Sequence, residues 1–143
     1  MWYNLIMIHK LNESLILLTY KEKILLMIKG HVFNSGIQKI WRLIGGEKGN
    51  KESFEKTITR CIKEEMNIKI SEVKLLSVSP SDNKNTYFYH GKLTDNNVNL
   101  IERSEGQELQ FFDLKELDKI QLATSTNLFF TQNRNAVEEL LVN

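Results

Sequence analysis

The chain has a single cysteine, and its three histidines, His9, His31 and His90, show no Cys/His spacing that could close a zinc site. One cysteine cannot form an intramolecular disulfide, so a reducing, cytoplasmic compartment is the expectation. Long apolar runs are missing as well. Lys10, Glu13, Lys21, Glu22 and Lys23 interrupt the apolar N-terminal region well before the ~20 residues a membrane helix needs, so neither a membrane span nor a signal peptide is expected. Nor does one sign of charge dominate. With 19 Lys and Arg against 18 Asp and Glu, net +1, the chain lacks the field of a general nucleic-acid binder, although a local basic pocket for phosphates stays open. No repeat, low-complexity tract or linker divides the sequence. At 143 residues, 41% hydrophobic and 26% charged, residues 1–143 are expected to form one globular domain with a real core.

What the sequence does have is concentrated in GGEKGNKESFEKTITRCIKEEMNI, residues 45–68. Gly45 and Gly46 allow a sharp backbone turn. Ser53 is suited to N-cap a helix, Glu55 puts an anion in its first turn, and Asn67 tolerates the left-handed conformation that ends one. The result is a helix of about three to four turns. At about 100° per residue, Phe54, Ile58, Ile62 and, at the edge, Met66 form its apolar face. Glu65 falls at the rim of that face, while Glu64 lies on the side of Arg60. Both carboxylates sit at the partly negative end of the helix, where they are disfavoured unless a cation is present. A hard divalent cation such as Mg2+ supplies one; the other reading is a solvated pair beside Lys63, and the residues alone leave both open.

Around this stretch, residues 14–20 and Lys23–Lys29 read as strands of a hairpin linked by Lys21 and Glu22. Residues 30–38 read as a loop, and residues 40–44 as a further short strand. Residues 73–78 and 86–93 read as strands parted by the turn PSDNKN, and residues 94–99 as another turn. The aromatic run from Thr86 to His90 fits a core strand, or a surface on which a base stacks. Residues 114–117 suggest a short helix. Residues 126–141 contain a terminal helix with Leu128, Phe129, Val137, Leu140 and Leu141 available for packing.

Gly46, Glu52, Arg60, Ile62, Glu64, Glu65 and Ile68 fall in register with the Nudix (MutT-like) box, G-x5-E-x7-R-E-U-x-E-E-x-G-U with U aliphatic, and the upstream WRLIGG resembles the W-x-L-P-G-G lead of that family. Three positions depart from it: Cys61 replaces the first glutamate of R-E-U-x-E-E, Asn67 the last glycine, and Ile44 the proline. The resemblance implies an α/β fold, a Nudix-type α/β/α sandwich with a mixed β-sheet between helices. It also implies a hydrolase that uses Mg2+, with Mn2+ able to substitute, to cleave a phosphoanhydride bond in a small nucleoside diphosphate derivative. The metal ligands it implies are Glu64 and Glu65, completed from the segment EGQE by Glu105, with Glu108 and then Glu102 behind. Glu52 and Arg60 take catalytic-support roles, the arginine bracing Glu52 or Glu64. Gly45 and Gly46 would let the backbone approach the diphosphate, Lys29 and Arg42 would contact phosphate, and His31 lies in the loop beside the presumed cleft. Cys61 motivates an alternative. A neutral thiol is a poor ligand for a hard metal, so the second reading is a catalytically impaired Nudix-fold nucleotide-binding or regulatory domain.

Overall fold

The structure, a computed structural model, describes residues 10–29 and 39–142, with only the backbone described at residue 29. Lys21 and Glu22 both take positive φ, 48° and 64°, and turn the chain between β1 (Leu11–Tyr20) and β2 (Lys23–Lys29). That is the conformation of a two-residue hairpin turn whose twist matches its strands.

The sheet is organised around β1. It runs parallel to β6 (Lys84–Lys92) along one edge, while the other edge is divided. The half from Glu13 to Ile16 pairs antiparallel with β4 (Ile44–Glu47), and Leu18 to Tyr20 pairs antiparallel with β2. β2 continues into β7 (Gln107–Phe112), and β5 (Lys74–Pro80) flanks β6, giving the order β5-β6-β1-β2-β7 with β4 off that path. A second, two-stranded parallel sheet joins β3 (Ile40–Trp41) to β8 (Gln121–Leu122).

Helices cover both faces, as the expected α/β/α sandwich requires. On one face α1 (Phe54–Met66) sets Ile58, Ile62 and Met66 against Ile16, Leu18, Leu25, Met27 and Tyr89. On the other, α3 (Thr124–Gln132) and α4 (Arg134–Val142) bring Phe129, Phe130 and Val137 to Leu15, Leu17, Leu26, Phe88 and Phe112. Because β1 is buried on both sides, its centre is a continuous apolar run and not an alternation. Each fully buried Leu or Ile contributes about 1.5–3 kcal/mol relative to exposure.

Four local expectations are corrected. The strand expected over residues 40–44 is two short strands, because the N–H and C=O of Arg42 both bond to Met27, each at 2.9 Å, as the chain passes from β3 to β4. The turn expected over residues 94–99 is a helix, α2 (Asp95–Leu100), nucleated by a capping box in which Thr94 and Asn97 exchange side-chain bonds of 3.0 Å. The terminal helix is two, broken at Asn133, whose side-chain amide donates to the Phe129 carbonyl at 3.0 Å; Leu128 is exposed instead of packed. A 3-10 turn, Leu114–Lys119, stands where the short helix was expected.

Candidate active site

Gly45 and Gly46, expected to turn the chain, lie instead within β4, paired with Leu15 and Ser14 of β1, and the loop begins after Glu47 and runs to Ser53. Gly45 has φ 149°, and a Cβ there would lie 2.1 Å from the Ser14 carbonyl oxygen, so the position excludes any side chain. The loop then feeds α1 through Ser53, whose hydroxyl accepts from the Lys56 N–H at 3.0 Å.

Glu52 is saturated with donors. Its Oε1 accepts from the Gly49 N–H (3.0 Å), the Thr57 hydroxyl (2.9 Å) and Arg60 Nη2 (3.1 Å), and its Oε2 from Arg60 Nε (2.7 Å). These bonds, led by that of Arg60, hold its carboxyl at about 2, well below the ordinary value. Arg60 is raised in turn, chiefly by Glu52. Its Nη2 also donates to the Glu47 carbonyl and its Nη1 to Glu64, both at 3.2 Å. One guanidinium therefore joins the loop, the start of α1 and its last turn, and the fork geometry of arginine makes such multiple bonding possible.

The end of α1 is closed from two directions. Asn67 takes the left-handed conformation (φ 55°) and donates its N–H to the Lys63 carbonyl at 2.9 Å. The segment before β7 then satisfies two more carbonyls: the Glu102 N–H donates to Met66 at 3.0 Å, and the Ser104 hydroxyl to Glu64 at 3.3 Å. This docks the turn carrying Glu105 on the helix end. Glu64 and Glu105 are exposed, whereas Glu65 is buried at the rim of the core. Glu102 accepts from Asn67 Nδ2 (3.2 Å), and Glu108 pairs with Lys39 (3.3 Å). Among the described residues, no three His, Cys, Asp or Glu side chains are gathered tightly enough to hold a metal.

Cys61 lies inside the core that joins α1 to the sheet, 5% exposed, and its Sγ would be 3.4 Å from a Cβ added at Gly46. Burial pushes the thiol up, so it is a neutral, small apolar group. Its spacing from Ile58, three residues earlier, and Ile62, one later, is the signal that could have placed it on the buried face. Ile58 and Ile62 are fully buried, while Phe54 is half-buried and stacks on Tyr87 with ring centroids 3.6 Å apart. Arg42 is exposed between β3 and β4. The side chain of Lys29, and His31, lie outside the described residues. The donors available at the end of α1 are carboxylate oxygens, a set that suits a hard divalent cation.

The sequence pattern of the NUDIX domain matches residues 10–132. Among solved structures, a MutT/nudix family protein from Listeria innocua superposes with a TM-score of 0.71 at 17% identity, over 94% of this chain and 99% of that one. A MutT NUDIX hydrolase from Burkholderia pseudomallei gives 0.69 at 20%, over 87% and 98%. The NUDIX domain of Shewanella oneidensis NrtR, solved with ADP ribose, gives 0.68 at 17%, over 90% and 88%. No curated protein matches the sequence. At these identities the likeness between structures is one of fold.

Proposed function

The chain belongs to the NUDIX family, and from that premise we propose that it hydrolyses a phosphoanhydride bond in a nucleoside diphosphate linked to another group, with Mg2+ as cofactor and Mn2+ able to replace it. The observation that carries this reading is the ion-pair chain Glu52–Arg60–Glu64, which fixes the glycine loop to the carboxylate-bearing end of α1. Binding of ADP ribose by the Shewanella oneidensis domain supports a nucleoside diphosphate derivative as ligand.

We assign Glu64 and Glu65 as metal ligands, with Glu105 across the cleft and Glu108 as a further candidate if it leaves Lys39. Bound there, a divalent cation neutralises phosphate charge and acidifies a coordinated water. Gly45 and Gly46 let backbone approach the diphosphate, and Lys29 and Arg42 are the candidate cations for its outer oxygens. Arg60 and Glu52 act by position: their mutual bonds keep the loop and the last helical turn in fixed register. On its core side the rim is closed by the buried Cys61, Ile62 and Met66.

A second reading rests on one observation. Cys61, buried and neutral where the box has a glutamate, leaves the carboxylate cluster one anion short, which fits a nucleotide-binding module with little turnover. The test is release of phosphate or pyrophosphate from a panel of nucleoside triphosphates, dinucleoside polyphosphates and sugar-linked diphosphates, with Mg2+ or Mn2+ and with Glu65→Gln as control. Metal-dependent turnover lost in that variant is the expected result. Metal-dependent stabilisation by a nucleotide without turnover on any substrate selects the binding module.

A further inference from the structure

Gln107 opens β7 and is only 9% exposed. Along that strand Phe112 faces α3 and α4, while Leu109 and Phe111 pack on the α1 side. By strand alternation Gln107 faces α1 too. Its Oε1 accepts from the Ser104 N–H at 3.0 Å, and Ser104 passes the contact on, its hydroxyl donating to the Glu64 carbonyl at 3.3 Å. The Gln107 N–H closes the same turn on the Ser104 carbonyl at 3.2 Å, with Gly106 at φ 77° completing it. Gln107 therefore braces the Glu105 turn internally, through Ser104, while the Ser104 hydroxyl and the Glu102 N–H tie that turn to the last turn of α1.

The other end of that amide is unused. Gln107 Nε2 is buried and has no hydrogen-bond partner among the described residues. A buried donor without an acceptor costs more than an average hydrogen bond returns, so such a group calls for an explanation. An amide flip does not remove the problem, because Ser104 N–H requires an oxygen at the position Oε1 now holds.

We infer that Gln107 is a positioning residue whose Oε1 holds the Glu105 turn in the shape that lets Ser104 reach the end of α1, and whose Nε2 donates to an anionic oxygen brought there by ligand. This rests on the hydrolase reading above. The oxygen has two possible sources: a carboxylate oxygen re-aimed when a divalent cation binds, or a phosphate oxygen of the nucleotide. Ligating carboxylates commonly accept a hydrogen bond from an outer partner, and losing that partner costs about 10–100-fold in metal affinity.

The test follows the Gln107 side-chain amide by NMR in the wild type, assigned by its loss in Gln107→Met. One arm adds Mg2+ alone, one a methylene-bridged nucleoside diphosphate alone, and one both. The expected result is a downfield shift and slowed exchange of this amide; its appearance with Mg2+ alone assigns the carboxylate, and only with nucleotide the phosphate. Gln107→Met removes the amide donor without adding charge, so affinity in the responding arm should fall about 10-fold or more, with the fold checked by circular dichroism. Saturating binding that leaves the amide unmoved, with equal affinity in Gln107→Met, overturns the inference and leaves the hydrolase reading standing. Failure of wild type to bind either ligand removes both.

Discussion

Replacing Cys61 by glutamate restores the anion that the family's box carries, at a position where the thiol is now 5% exposed and within the core. Burying an unpaired polar group costs about 1–3 kcal/mol, and overpacking a filled core about 1–3 kcal/mol more. The like charges of Glu64, Glu65 and Glu52, which already act on the thiol, add to the penalty. A total near 3 kcal/mol corresponds to a fall in Tm of about 6–12 °C for a chain of this size. A divalent cation changes the sign of the electrostatics. At 100 times its Kd it stabilises the native state by about 2.7 kcal/mol, so excess Mg2+ or Mn2+ should return most of the lost Tm. Turnover of the best substrate should rise by about 10–100-fold, the range typical of a metal-site partner. The assay is a pair of thermal melts, with and without metal, beside phosphate release. An equal loss of Tm with and without metal, and turnover no higher than wild type, would show that a carboxylate at residue 61 does not reach the cation. A wild type already fully active and unaffected by the change would equally refute Cys61 as the weak point of the site.

Glu65→Gln should reduce turnover to background while leaving the fold intact by circular dichroism. The Glu52 carboxyl, held at about 2 by Arg60, contributes stability that is fully present above the ordinary carboxylate value and is lost as pH falls through about 2. Acid unfolding of wild type and Glu52→Gln should therefore converge below that pH and diverge toward neutrality, and curves that stay parallel would remove the ion pair as the cause. Arg60→Lys keeps the charge but not the fork that reaches Glu52, Glu47 and Glu64; we expect about a 10-fold loss of turnover, and unchanged kinetics would show that charge alone suffices. Gly45→Ala drives a Cβ into the Ser14 carbonyl and should cost about 1–3 kcal/mol or more in urea unfolding.

The helix that carries the site was readable because its signals are local. Ser53 and Asn67 act on backbone within a few residues, and the spacing of Ile58 and Ile62 reports one face. Lys21 and Glu22 likewise announced the hairpin, their turn joining two apolar runs. What the sequence concealed depends on distant partners. The division of residues 40–47 into two strands comes from Met27, and nothing adjacent to Arg42 signals it. Capping of the Glu64 and Met66 carbonyls by residues 102–104 joins segments about forty residues apart. Thr94 was a missed local signal: a threonine before Asp-Asn-Asn reads as turn chemistry, yet the reciprocal Thr94 and Asn97 bonds start a short helix. The burial of Cys61 has a local signal, its place on the helix face of Ile58 and Ile62, but the box assigns that same position to a carboxylate.

That burial gives the molecule a clock of its own. Cys61 is the only thiol in the chain, and it sits between α1 and the Gly46 end of β4. A thiol reagent can reach it only when that layer parts, and the raised thiol makes the closed form still less reactive. Where reclosing outpaces labelling, the modification rate scales with the fraction of time the layer is open. The kinetics of one covalent reaction therefore report the breathing of the helix that bears Glu64 and Glu65, in unaltered protein and without an introduced probe.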